Sequence, residues 1–114
     1  MAPPRKVEGA PLIYCVKSWM NPEGGEAYMT WLEEKHMAEI CAEPGILWGH
    51  KVKLDQPHEP TGWPQVLLIY GFESRAALDA YLVSPARDAF WQQLEALKDV
   101  HASERFWGDI DFST

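Results

Sequence analysis

The sequence predicts an α+β domain, a four-stranded antiparallel sheet with two helices on one face, in the order βαββαβ. Three observations lead there. Amphipathic helical stretches alternate with β-rich runs. Each half of the chain reads as strand, helix, strand, and the halves are of similar length. The run QVLLIYGFE (65–73) is apolar at nearly every position, the pattern of a strand covered on both faces.

Residues 1–10 carry Pro, Gly and charge without periodicity and read as a flexible N-terminal arm, which leaves 11–114 as one domain. LIYCVKSWM (12–20) is a strand by its β-branched and aromatic content, and NPEGG (21–25) breaks it. A helix follows over 23–43. At about 100° per residue, Tyr28, Met29, Leu32, His36 and Ile40 share one arc, with Glu33 and Glu34 outside it. Glu-Pro-Gly (43–45) stops the helix. ILWGHKVKL (46–54) alternates, placing Ile46, Trp48, His50, Val52 and Leu54 on one face and Lys51 and Lys53 on the other. DQPHEPTGWP (55–64) is a Pro-rich loop. Ser74 can N-cap a second helix over 74–99, broken or kinked at Ser84-Pro85. RFWGDIDF (105–112) is the last strand.

Two helices on one side of the sheet leave the other face of strand 65–73 uncovered. The simplest cover is a second copy of the sheet, so a homodimer is expected. Six Trp in 114 residues point the same way, because a small domain has too little interior to hide them all.

The net charge of -7, with no basic cluster, disfavours nucleic acid and anionic membrane, and neither is expected as a partner. It favours a neutral or weakly polar small molecule and leaves room for a carboxylate held by one local Lys or Arg. No apolar run reaches the roughly 18 residues of a membrane span, and the N-terminus lacks the apolar core of a secretory signal, so the cytoplasm is the expected location. Two cysteines, Cys15 and Cys41, are too few for a disulfide framework and read as free thiols. No phosphate-binding glycine loop is present, so no nucleotide cofactor is expected. A metal is disfavoured as well. His36 and Glu39 have an i, i+3 spacing, but no second such pair exists.

The βαββαβ order, Trp-Leu-Glu-Glu-Lys-His (31–36), the Glu-Pro-Gly stop and the Tyr-Leu-x-Ser-Pro-Ala-Arg segment (81–87) together resemble the dimeric α+β barrel superfamily. Its EthD-like members are similar in carrying a histidine on the first helix. The superfamily includes cofactor-independent antibiotic-biosynthesis monooxygenases, haem-degrading monooxygenases, polyketide cyclases, muconolactone isomerases and hydroxynitrile lyases. The resemblance implies an obligate dimer and a pocket in each subunit between sheet and helices. The haem-degrading members use a histidine on the second helix, which this chain lacks, so haem is not expected.

His36 interrupts the apolar side of the first helix, so a pocket there gives it a use. An imidazole is the side chain best matched to proton transfer near neutral pH. The catalytic candidates are His36, His50, Tyr14 and Tyr70, the tyrosines polarising a substrate oxygen. Tyr28, Trp31, Trp48, Trp63 and Trp107 are candidates to line the pocket, Trp63 from a loop able to act as a lid. The expected function is a small cofactor-independent enzyme doing acid/base chemistry, as a lyase, isomerase or cyclase, on an aromatic or polyketide-like molecule. A cofactor-free monooxygenase and a non-catalytic ligand-binding or stress-related dimer are the alternatives.

Overall fold

Strand β1 (Leu12–Met20) is at the centre of the sheet and pairs antiparallel with β3 (Gln65–Phe72) and β4 (His101–Asp109). β2 (Ile46–Lys53) pairs with β3 and completes a four-stranded sheet in the order β2-β3-β1-β4. This computed structural model describes residues 9–114. The flexible arm expected over 1–10 lies outside the described residues up to Glu8. Ala10 is buried and packs over Gly71.

Helix α1 covers 25–41 and joins β1 to β2. It starts after Gly24, whose φ of 106° turns the chain out of the strand, and the Asn21 side chain accepts from the Glu23 backbone N–H at 2.9 Å. It stops before Gly45, at φ 82°. The second helical region is two helices, α2 (Arg75–Leu82) and α3 (Pro85–Glu95). Ser74 caps the first by accepting from Ala77 N–H, and Ser84 caps the second by accepting from Arg87 N–H, both at 3.1 Å, with Pro85 in the first turn. The break expected at Ser84-Pro85 is therefore complete.

Two expectations are corrected. The last strand begins at His101 and ends at Asp109, where 105–112 was expected. Its first half, HASER, alternates polar and small residues at a sheet edge and lacks the apolar signal of the central strands. In β2, an irregularity between Ile46 and Trp48 shifts the register. An extra residue reverses the alternation. Ile46 therefore turns into the core, while Trp48, His50 and Val52 go to the opposite face.

The helix-covered face carries Leu12, Tyr14, Val16 and Ser18 of β1 and Val66, Leu68, Tyr70 and Phe72 of β3, all buried, and the core forms there. Gly49 also looks this way, because a Cβ on it would meet Cys41 Sγ and the Tyr70 ring at 2.9 Å. The other face carries Ile13, Cys15, Leu67, Ile69, Trp48, Val52 and Phe106, and no helix among the described residues covers it. Val52 and Phe106 are 41% and 46% exposed there.

Candidate functional site

The site is built on an irregularity in α1. Residues Leu32–His36 form a π turn, with Met37 N–H donating to the Leu32 carbonyl five residues back. In a straight α-helix each four-residue step overshoots a full turn by about 40°. The series Tyr28, Leu32, His36, Ile40 would then drift around the helix by about 120° and leave the core. The wider π turn cancels part of that drift. All four side chains are buried as a result.

His36 is 7% exposed. Its ring stacks on Trp31 at 4.0 Å and 13° and meets the edge of Phe90 at 4.8 Å. The Trp31 indole is held in turn, since its N–H donates to the Gln93 side chain at 3.1 Å and Lys35 donates to the same oxygen at 3.1 Å. His36 Nδ1 is buried and has no hydrogen-bond partner among the described residues. The His36 side chain borders a chamber of about 20 Å³, lined also by Tyr14, Ile40, Tyr81, Arg87, Phe90, Trp91 and Arg105. That volume holds about one water molecule. A second cavity of about 240 Å³ lies outside it and shares the Trp91, Leu94 and Arg105 walls.

Several elements meet here. β1 supplies Tyr14, α1 supplies His36, α2 supplies Tyr81, α3 supplies Arg87, Phe90 and Trp91, and β4 supplies Arg105. Ser84 ties two of them together, because its hydroxyl donates to the Tyr81 carbonyl at 2.8 Å and accepts from Arg87 N–H. The Arg87 guanidinium donates to the Tyr14 oxygen at 3.5 Å, a long contact. Burial drives the His36 pKa down to about 3, with Arg105 and Lys35 adding charge repulsion. The imidazole is therefore neutral at neutral pH, with a bare nitrogen. Burial raises the Tyr81 hydroxyl above its ordinary range.

The other candidates divide. Tyr14 borders the chamber and stacks on Trp107 at 5.6 Å, and Trp31 supports the His36 ring. Tyr70 is on the same face, 6.4 Å from the Tyr14 ring, but is sealed in the core with no partner for its hydroxyl and does not border the chamber. Tyr28 does not border the chamber: its hydroxyl bonds Ser18 at 2.7 Å and its ring stacks on His101 at 4.1 Å. His50 and Trp48 are on the opposite face of the sheet, 4.9 Å apart, so His36 and His50 do not share a pocket. Trp63 stays in the 55–64 loop and does not reach the chamber.

Tyr81, Arg87, Phe90 and Arg105 are the chamber residues that sequence reasoning missed. Tyr81 and Arg87 are the two ends of the Tyr-Leu-x-Ser-Pro-Ala-Arg segment. Their spacing across a capped helix break was the available signal. Among the described residues no group of three His, Cys, Asp or Glu side chains comes together to hold a metal. Glu39, three residues after His36, is paired with Lys35 at 2.9 Å.

No protein-family model and no curated protein matches this chain. Solved structures do. SnoaB from Streptomyces nogalater, a cofactor-independent oxygenase, is similar at TM-score 0.61 and 13% identity, over 90% of this chain and 94% of that one. A Deinococcus radiodurans protein provisionally named an antibiotic biosynthesis monooxygenase is similar at TM-score 0.69 and 15% identity, over 90% of this chain and 95% of that one. A dimeric ferredoxin-like protein from an uncultured marine organism is similar at TM-score 0.66 and 13% identity, over 91% and 99%. The chain has the ferredoxin-like α+β fold of these proteins. At such identities the likeness fixes the fold and leaves the chemistry to the site.

Proposed function

We propose that the protein is a small cofactor-independent enzyme that acts on an aromatic or polyketide-like molecule, with His36 as general base. The carrying observation is the unpartnered Nδ1 of a buried, neutral imidazole bordering a chamber that also holds Tyr14, Tyr81, Arg87 and Arg105. A buried polar atom without a partner costs stability, roughly 1–3 kcal/mol. Such a cost is a recurrent mark of a site kept for use.

Neutral His36 takes a proton from an acidic C–H or O–H of the ligand and becomes an imidazolium. That charge is costly among Trp31 and Phe90 unless an anion lies beside it. The ligand's new enolate or phenolate is that anion. The Tyr14 hydroxyl and the two guanidiniums stabilise its oxygen. Returning the proton to another atom gives an isomerase, lyase or cyclase. Reaction of the same carbanion with dioxygen gives a cofactor-free monooxygenase, and the similarity to SnoaB favours keeping this second reading. The chamber has to open before a ring can enter, since its volume is about 20 Å³. A homodimer closed over the open sheet face belongs to the same proposal, supported by the exposed Val52 and Phe106. So does a cytoplasmic setting, supported by two free cysteines.

The test incubates the purified protein with hydroxylated polycyclic and polyketide-like compounds. Solvent-deuterium incorporation is followed by NMR, and oxygen uptake at an electrode. Deuterium exchange without oxygen uptake supports the isomerase, lyase or cyclase branch, and uptake supports the monooxygenase. His36→Gln should remove either. Turnover that survives His36→Gln would end the general-base role, and ligand binding without exchange or uptake would favour a non-catalytic receptor.

A further inference from the structure

Arg87 and Arg105 reach the chamber from different elements, the first turn of α3 and the middle of β4, and converge on one indole. Their guanidinium carbons are 5.7 Å and 4.3 Å from the Trp91 ring centroid. Four basic residues in the fold have carboxylate partners: Arg75 with Asp109, Lys35 with Glu39, Lys51 with Glu33 and Lys98 with Glu95. Among the described residues, Arg87 and Arg105 have none, and neither do Lys17 and Lys53, which do not line the chamber. The chain does not lack acids, with 17 Asp and Glu against 10 Lys and Arg. Both arginines are half-buried. A guanidinium taken partly out of water gains far more from a bidentate carboxylate than from an aromatic face. No carboxylate lines the chamber wall.

Space is arranged to match. Trp91 is 45% exposed and stands between the chamber and the 240 Å³ cavity, bordering both. The outer cavity is large enough for a one- or two-ring ligand and the chamber is not. In that outer cavity Lys98 and Glu95 neutralise each other at 3.1 Å, so the uncompensated charge sits at the inner end.

Resting on the reading of this chamber as the site, we propose that its ligand is an aromatic acid. The carboxylate binds between Arg87 and Arg105, displacing the Trp91 indole, and the ring occupies the outer cavity with its reactive edge toward His36. Trp91 is then a removable plug that occupies the cations until the acid arrives.

Calorimetric titration of the full chain with benzoate and 2-naphthoate, against benzamide and 2-naphthamide, tests this directly. The acids should bind at least tenfold more tightly than the amides. Arg87→Gln and Arg105→Gln should each weaken acid binding tenfold or more and weaken amide binding much less. Arg87→Lys and Arg105→Lys, which keep the charge and lose the fork, should fall between. Circular dichroism identifies a variant that fails to fold, and the Lys variants then decide. Equal binding of acid and amide, acid binding that survives both Gln variants, or no binding of either acid would each overturn the proposal. His36→Gln separates it from the catalytic reading: acid binding should persist there. Acid binding without turnover of any acid would retain this inference while removing the base.

Discussion

The two faces of the sheet solve the same problem in opposite ways. On the helix-covered face, aromatic and aliphatic side chains close into a core, and polar groups gather at one chamber where, among the described residues, His36 Nδ1 is left without a partner. On the other face, Ile13, Leu67, Ile69, Val52 and Phe106 are apolar with no described helix over them, and Val52 and Phe106 are exposed. The first face buries polar groups at a cost, and the second leaves apolar groups in water at a cost. The lesson is that the two costs call for different partners, a small polar ligand on one side and a flat apolar surface on the other.

The sharpest way to break this comparison is at the histidines. His36→Ala should lower activity by roughly 10²–10⁴-fold, the span of a positioned acid or base, with the fold retained. His50→Ala, across the sheet, should leave the chemistry intact. Steady-state kinetics of the two variants decides whether the chamber or the open face holds the reaction.

Stability against pH follows next in size. The unfolded chain's imidazole titrates near 6.5 and folded His36 near 3, so the unfolded state binds the proton first. The contribution of neutral His36 is complete above pH 6.5 and is lost as pH falls from 6.5 to 3, by about 1.4 kcal/mol per unit. Urea unfolding at pH 5 should therefore show roughly 2 kcal/mol less stability than at pH 7. His101, whose pKa burial also lowers, adds with the same sign. His36→Phe should flatten most of this slope, and a slope unchanged in that variant would mean that His36 titrates normally.

On the open face, Ile69→Asp should turn a dimer into a monomer in light scattering while the chamber keeps its ligand. A dimer that persists would place the second copy elsewhere. The smallest effect is internal. Gly49→Ala puts a methyl 2.9 Å from Cys41 Sγ and the Tyr70 ring and should cost about 1–3 kcal/mol in the same urea titration. A neutral outcome would show that α1 can move off β2.

Much of the fold was legible because its signals are local. β3 reads as an interior strand from eight residues, and Ser84-Pro85 marks the helix break by its own chemistry. The bulge in β2 was not legible, since alternation continues through Trp48, His50 and Val52 whichever face they take. That ambiguity put His50 beside His36 as a candidate. His36 was found by its misfit on an apolar arc. Arg87 and Arg105 were not, because a lone Arg on a helix or an edge strand looks like ordinary surface until the fold shows what it faces.

The π turn in α1 has a further consequence, in terms of descent. A π turn is what a helix makes of one inserted residue when the segments on both sides must keep their places. Tyr28 before it, Leu32 and His36 at its two ends, and Ile40 after it all hold their positions in the core. A relative one residue shorter between Leu32 and His36, with an uninterrupted α-helix, could therefore share every contact on either side. Any residue-by-residue matching of this helix to such a relative has to open a gap there. Without that gap, the histidine of one protein falls opposite the wrong residue of the other.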